Sequence, residues 1–174
     1  TTPVNVIKEG PAGLDEGRAM LQIVHDLAPG ANLAYASAFF GQFDFADQIR
    51  ALRNSAGADV IVDDIFYFAD PFFQDGPISQ GIKDATAAGA IYFTLAGNHH
   101  EVVGGNAVGS YESPAYRPLP CPAGMDLPGD CHDFDPAAGA DNRSSFTLAA
   151  GGRLDLDFQW AEPWYGVQTN LNIY

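Results

Sequence analysis

The chain has 174 residues, with 22 acidic against 8 basic side chains and a formal net charge of −14. So negative a surface repels phosphate backbones and argues against nucleic acid as a partner, while it suits a secreted, salt-tolerant or calcium-binding protein as well as plain solubility. No apolar run approaches the roughly 20 residues of a membrane span, so no membrane partner is expected, and the length fits one domain, or one domain with an addition, able to bury a core.

Val4-Asn-Val-Ile7 is a short β run. Leu14 to Leu27 carries helix periodicity, with Ala19, Met20, Ile23, Val24 and Leu27 on one face and Asp15 near the positive end of the helix dipole. Pro29-Gly30 stops that helix, and Ala31 to Phe39 reads as an apolar strand. Phe45, Ile49 and Leu52 give helical spacing to the next segment. Asp59 to Ile65 reads as a buried strand, Ile78 to Ala88 as an amphipathic helix, and Ala90 to Leu95 as a further strand. Strands separated by helices predict a parallel sheet with right-handed crossovers.

Beyond Asn98 the pattern changes. Residues 101 to 143 are rich in Gly, Pro, Asp and Asn and carry no helix signal. Ser145 to Leu148, the strictly alternating Arg153 to Trp160, and Val167 to Tyr174 read as antiparallel β, part of a sandwich. An open edge on such a layer would allow association between copies of the chain. The expected division is an α/β portion over residues 1–100 and a loop-rich, antiparallel β module over 101–174.

Cys121 and Cys131 enclose a loop containing Pro122, Gly124, Pro128 and Gly129, which can bend back on itself. A disulfide is expected, and with it an oxidising compartment. Adjacent His132 leaves a Cys-Cys-His metal cluster as the alternative reading. His99-His100 invites a metal reading too, although neighbours on an extended segment point opposite ways. Asp63 and Asp64, with Asp70 and Asp75, are candidate calcium ligands; the plainer reading is a solvated strand end. Phe66, Tyr67, Phe68, Phe72 and Phe73 would line a substrate pocket or, more simply, pack under a loop.

Three segments carry a family resemblance: Leu27-Ala-Pro-Gly-Ala31 leading from a helix into a strand, Gly57-Ala-Asp-Val-Ile-Val62, and Ala87-Ala-Gly-Ala90 running into Tyr92-Phe-Thr-Leu-Ala-Gly-Asn98. Together they resemble the subtilase superfamily, the subtilisin-like and sedolisin-like serine peptidases, over about half of the chain. The resemblance implies a parallel-sheet, subtilisin-like half domain, followed by the β-rich, sandwich-like segment. It also implies hydrolysis of peptide or protein substrates by acyl transfer. Subtilisins open the catalytic helix with His-Gly-Thr, where this chain reads Glu16-Gly17-Arg18. Sedolisins place a glutamate there, so Glu16 takes the general-base position. Sedolisins carry an aspartate where this chain has Met20, and an aspartate at the oxyanion position, where subtilisins and this chain have asparagine, Asn98. By analogy with measured donor losses, such a donor is worth about 3 kcal/mol in the transition state.

Asp64, Ile65 and Phe66 fall where the family's strand borders the substrate cleft. The family's strand aspartate has no counterpart in Val4-Asn-Val-Ile-Lys8, and no Gly-Thr-Ser helix start carries a nucleophile. The remainder of a parent chain is expected to supply both, and the 174 residues alone are expected to be inactive. The tail resembles β-sandwich modules attached to secreted peptidases. The alternative function is a non-catalytic binding or structural protein on a decayed subtilase scaffold; an unrelated hydrolase with an unplaced serine is a further one.

Overall fold

The computed structural model describes residues 2–107, 109–137 and 139–174. The chain divides into two compact units, Thr1–Gly97 with Asp157–Tyr174, and Asn98–Leu156. The first alternates strand and helix: β1 (Asn5–Lys8), α1 (Glu16–Leu27), β2 (Ala34–Ala36), α2 (Gln42–Asn54), β3 (Val60–Val62), α3 (Pro77–Ala87) and β4 (Ile91–Phe93). β1 pairs with β2 and β3 with β4, both parallel. The class is mixed α/β, as the alternation predicts. The sheet is not one continuous ladder, however. It consists of two separate two-stranded pairs, and α2 packs against β1, β2 and β3.

The core lies where α2 and α3 cross over the inward side of β3 and β4. Phe45, Ile49, Ile61, Ile78, Ala85 and Ala90 form it, with Leu52, Ile65, Tyr67, Ile82 and Tyr92 packed around them. Ile49 is fully buried. The helices touch at Gly81, where an added Cβ would stand 2.9 Å from the Cα and carbonyl oxygen of Ala46. Arg50 Nε donates to Asp84 across the crossing at 2.7 Å. The Arg53 guanidinium then ties the end of α2 to the carbonyls of Ala88 and Ala58 and to Asp59. One residue therefore satisfies carbonyls that the end of α3 and the approach to β3 leave open. The other side of this sheet is uncovered: Val60, Val62, Ile91 and Phe93 are each at least half exposed.

The second unit has two antiparallel hairpins, β5 (Val102–Val103) with β6 (Asn106–Ala107), and β7 (Pro118–Leu119) with β8 (Cys131–His132). Cys121 and Cys131 form a disulfide, with a Cα–Cα distance of 4.8 Å, that closes the loop joining β7 to β8. Arg117 is the polar hub beside it. Its guanidinium donates to the carbonyls of Asp133 and Phe134, to Ser113 Oγ and to Tyr111 Oη.

Two expectations need correction. The strands expected at Ala31–Phe39, Asp59–Ile65 and Ala90–Leu95 shorten to three residues each, because only their centres find a ladder partner. The antiparallel β expected at Ser145–Leu148, Arg153–Trp160 and Val167–Tyr174 does not form; no described residue after 132 lies in a strand. Alternation marks a segment with two unlike faces, but a strand also requires a neighbour to receive its backbone hydrogen bonds. Here side chains hold the tail instead. Gln159 donates through Nε2 to the Asp70 carbonyl and accepts at Oε1 from the Phe72 N–H, both at 2.9 Å. Gln74 Oε1 accepts from Trp164 N–H at 2.7 Å. The stretch from Asp157 onward thus belongs with the first unit, whereas the sequence pattern groups it with residues 101–156.

Changing either side of the crossing should be costly. Ile49→Ala is expected to lower unfolding free energy by about 2–5 kcal/mol and Gly81→Ala by about 1–3 kcal/mol. Val60→Thr, on the uncovered side of the sheet, should change it by under about 0.5 kcal/mol. Urea denaturation followed by circular dichroism measures all three. A neutral Gly81→Ala would contradict the close helix contact.

Candidate functional site

The loop after β1 leads directly to the first turn of α1, and Glu16 is the first residue of that helix. Glu16 is exposed. Its neighbour Gly17 packs on the Tyr35 ring of β2, and a Cβ there would collide with the ring. This contact seats the turn bearing Glu16 on β2 and explains why a glycine follows it. Asp15 pairs with Arg18 on the same turn rather than capping the helix. Nearby, at the carboxyl ends of β1 and β2, Lys8 pairs with Asp44 and lies 4.6 Å from the Phe40 ring centroid. Ser37 is buried; its N–H donates to the Lys8 carbonyl, and its Oγ accepts from Phe39 N–H at 3.3 Å.

The carboxyl ends of β3 and β4 hold a second polar group. Asp63 accepts from Tyr92 Oη on one carboxylate oxygen and from Thr94 Oγ1 on the other, the latter at 2.7 Å. Burial, reinforced by the Asp63 carboxylate, pushes the Tyr92 phenol far above its ordinary value, so it acts as a neutral donor. Asp63 N–H also donates to the Phe93 carbonyl, carrying the ladder one residue past β3. Asp64 is exposed. Ile65 packs against the core, which gives this expected cleft residue a structural partner. Phe66 stands edge-on to Phe68 at 4.9 Å between ring centroids. Asn98 is exposed, opens the second unit, and accepts the Glu101 N–H at its backbone carbonyl.

The expected calcium ligands are not gathered together. Among the described residues no group of three or more His, Cys, Asp or Glu side chains is arranged to hold a metal ion. Asp75 pairs with Lys83. Asp70 keeps one carboxylate oxygen, Oδ1, buried beside Gly76 with no hydrogen-bond partner among the described residues. His132 lies beside Cys131, but the two cysteines are bonded to each other, which removes them as thiolate ligands. His100 Nδ1 lies 3.2 Å from Ser110 Oγ in an exposed turn of the second unit. An open cavity of about 440 Å³ lies beside α1 and the amino end of β1, lined by Val4, Arg18, Leu21, Gln22, His25 and Leu33 among others. Glu16 is not part of its wall.

Two polar arrangements escape a reading of the sequence. Glu162 accepts at its carboxylate from the Trp160 indole N–H, from the N–H groups of Gln168 and Thr169, and from Thr169 Oγ1. The Arg117 hub draws its partners from residues 111 to 134. The nearest sequence signal for the hub was the cysteine pair, which brings its two arms together; none announces Glu162.

Among the described residues no helix is long and apolar enough to cross a membrane. No family model, curated protein or solved structure matches the chain.

Two carboxylates should make stability respond to acid in opposite senses. Donation from Trp160, followed by Thr169 and Gln168, holds the Glu162 carboxyl below its usual range. Its contribution is complete above the ordinary value of about 4 and fades as pH falls through the lower folded value. Burial raises Asp70, so its ionised form opposes folding near neutrality, and that penalty disappears as pH drops. Glu162→Gln is expected to lower the thermal midpoint at pH 7 and Asp70→Asn to raise it. Both differences should shrink in acid as the two carboxyls become protonated in the folded chain. Differential scanning calorimetry across pH checks both signs.

Proposed function

We propose that the chain is part of a secreted, subtilase-like serine peptidase that hydrolyses peptide bonds by acyl transfer. The supporting observation is the position of Glu16: an exposed carboxylate on the first helical turn beyond the carboxyl end of a parallel strand. Open α/β sheets collect their chemistry at that edge. The Gly17–Tyr35 contact supports a fixed position for the carboxylate. The Cys121–Cys131 disulfide is compatible with an extracellular protein.

In this reading Glu16 takes the proton of a serine hydroxyl as the oxygen attacks the scissile carbonyl carbon. The carbonyl oxygen becomes an oxyanion, for which the family resemblance makes the Asn98 amide the candidate donor. Collapse expels the amine, which receives the proton, and water then hydrolyses the acyl-enzyme. A carboxylate base favours an acidic working pH. The serine would belong to the parent chain, because no helix start of the family's kind is found here. Asp64 and Phe66 would border the peptide, with Ile65 serving as their anchor in the core.

The test uses both the 174-residue chain and the full polypeptide its gene encodes. The short chain should neither cleave casein nor take up a fluorophosphonate. The full polypeptide should be labelled on a serine outside residues 1–174. In it, Asn98→Ala should lower kcat by about 10²–10³ with KM little changed, and Glu16→Gln should lower kcat/KM by at least about 10². Labelling of Ser37, Ser110 or Ser113 would overturn the reading. So would a full polypeptide that takes no label, which would favour a binding protein on the same scaffold.

A further inference from the structure

The second unit contains a histidine whose two ring nitrogens are both engaged, by partners from the opposite arm of the disulfide-closed hairpin. The backbone N–H of Arg117 donates to His132 Nδ1 at 3.1 Å, which makes Nδ1 the acceptor and leaves the proton on Nε2. Nε2–H then donates to Tyr111 Oη at 2.8 Å. The same phenol oxygen accepts from Arg117 Nη2 at 2.9 Å. Three rings surround the imidazole: Tyr116 at 5.3 Å between centroids, Phe134 at 5.1 Å and Tyr111 at 5.9 Å. His132 pairs with Pro118 in the β7–β8 ladder, and the disulfide lies one residue away.

We propose that His132 is an acid-sensitive clasp: the neutral imidazole fastens the Arg117 backbone N–H to β8, and proton uptake at Nδ1 releases it. The reason is a count of donors and acceptors. A protonated Nδ1 is itself a donor and cannot accept from Arg117, so two N–H groups would face each other at hydrogen-bond distance. The imidazolium would also stand beside the Arg117 guanidinium, a like charge.

The remaining neighbours do little to offset this. Asp133, next along the chain, is the opposing charge, but its Oδ1 already accepts from the Asp141 N–H. Tyr116 directs its hydroxyl to the Asp130 carbonyl rather than to the ring. Tyr111 is a neutral partner whose oxygen already accepts from Arg117 Nη2. In keeping with this, burial and the Arg117 charge hold the imidazole below its ordinary value, against a smaller opposite pull from Asp133.

The consequence is local opening rather than unfolding. The disulfide and the Arg117 bonds to the Asp133 and Phe134 carbonyls do not depend on the imidazole, so the hairpin persists. What is freed is the Arg117 backbone N–H, while the Asp133 N–H still donates to the Arg117 carbonyl. For a group lowered in the folded state, the contribution is complete above about pH 6.5 and is lost as pH falls below it. The clasp is therefore closed at neutrality and opens in acid, whether or not the chain serves a peptidase.

Nitrogen and carbon NMR of the full 174-residue chain, titrated from pH 8 to 4, tests this. Expected is a neutral Nε2–H tautomer, a His132 midpoint below 6.5, and a fall of about tenfold in the Arg117 amide protection factor across that midpoint. His132→Asn, which offers a carbonyl acceptor that does not titrate, should retain Arg117 protection across the range. A midpoint at or above 6.5, an Nδ1–H tautomer, or Arg117 protection that ignores pH in the wild type would each overturn the clasp. Persistence of the full pH response in His132→Asn would do the same.

Discussion

The close crossing of α2 over α3 is the constraint on which the first unit depends. Gly81 lets the two helix backbones approach, and Ile49 fills the space that the approach encloses. Only then do Arg50 and Arg53 reach their partners on α3 and on the approach to β3. Apolar burial supplies the driving force there, and the guanidiniums satisfy carbonyls that burial would otherwise leave unpaired. β3 and β4 are the floor of this arrangement. Their inward residues Ile61 and Tyr92 join the core, and their outward residues stay in water.

Away from that core, order comes from polar side chains bonded to backbone. Gln159 mimics a piece of β ladder by engaging one carbonyl and one N–H of the 70–72 segment. Glu162 gathers four donors from the tail. Arg117 does the equivalent with carbonyls and hydroxyls in the second unit. Each such anchor is modest in water, where the unbonded groups would find solvent instead. Segments held this way open at lower free energy than a packed core does. They are also where protonation acts, because their holding groups are carboxylates and an imidazole rather than methyl groups.

The ends of the parallel strands carry Lys8, Ser37, Asp63 and Thr94, and each is already committed to a neighbour. Glu16 and Asp64 face solvent there, as the roles proposed for them require. The covalent loop between Cys121 and Cys131 stiffens the β7–β8 hairpin of the second unit.

Residue order alone determined the alternation of strand and helix through Phe93, the three helices, the absence of helix signal beyond Asn98, and the cysteine pairing. These follow from local periodicity, from turn residues, and from a loop able to bend back on itself. It did not determine strand length, the separation of the sheet into two pairs, or the fate of the alternating tail, because a ladder exists only where a second segment arrives to complete it. Glu16 was legible as a first-turn carboxylate, whereas its seating depended on Gly17 meeting Tyr35 across β2. The bonding of His132 was beyond any reading of spacing. Tertiary structure alone decided it, by presenting the Arg117 N–H to one ring nitrogen and Tyr111 to the other, and so fixing which nitrogen keeps the proton.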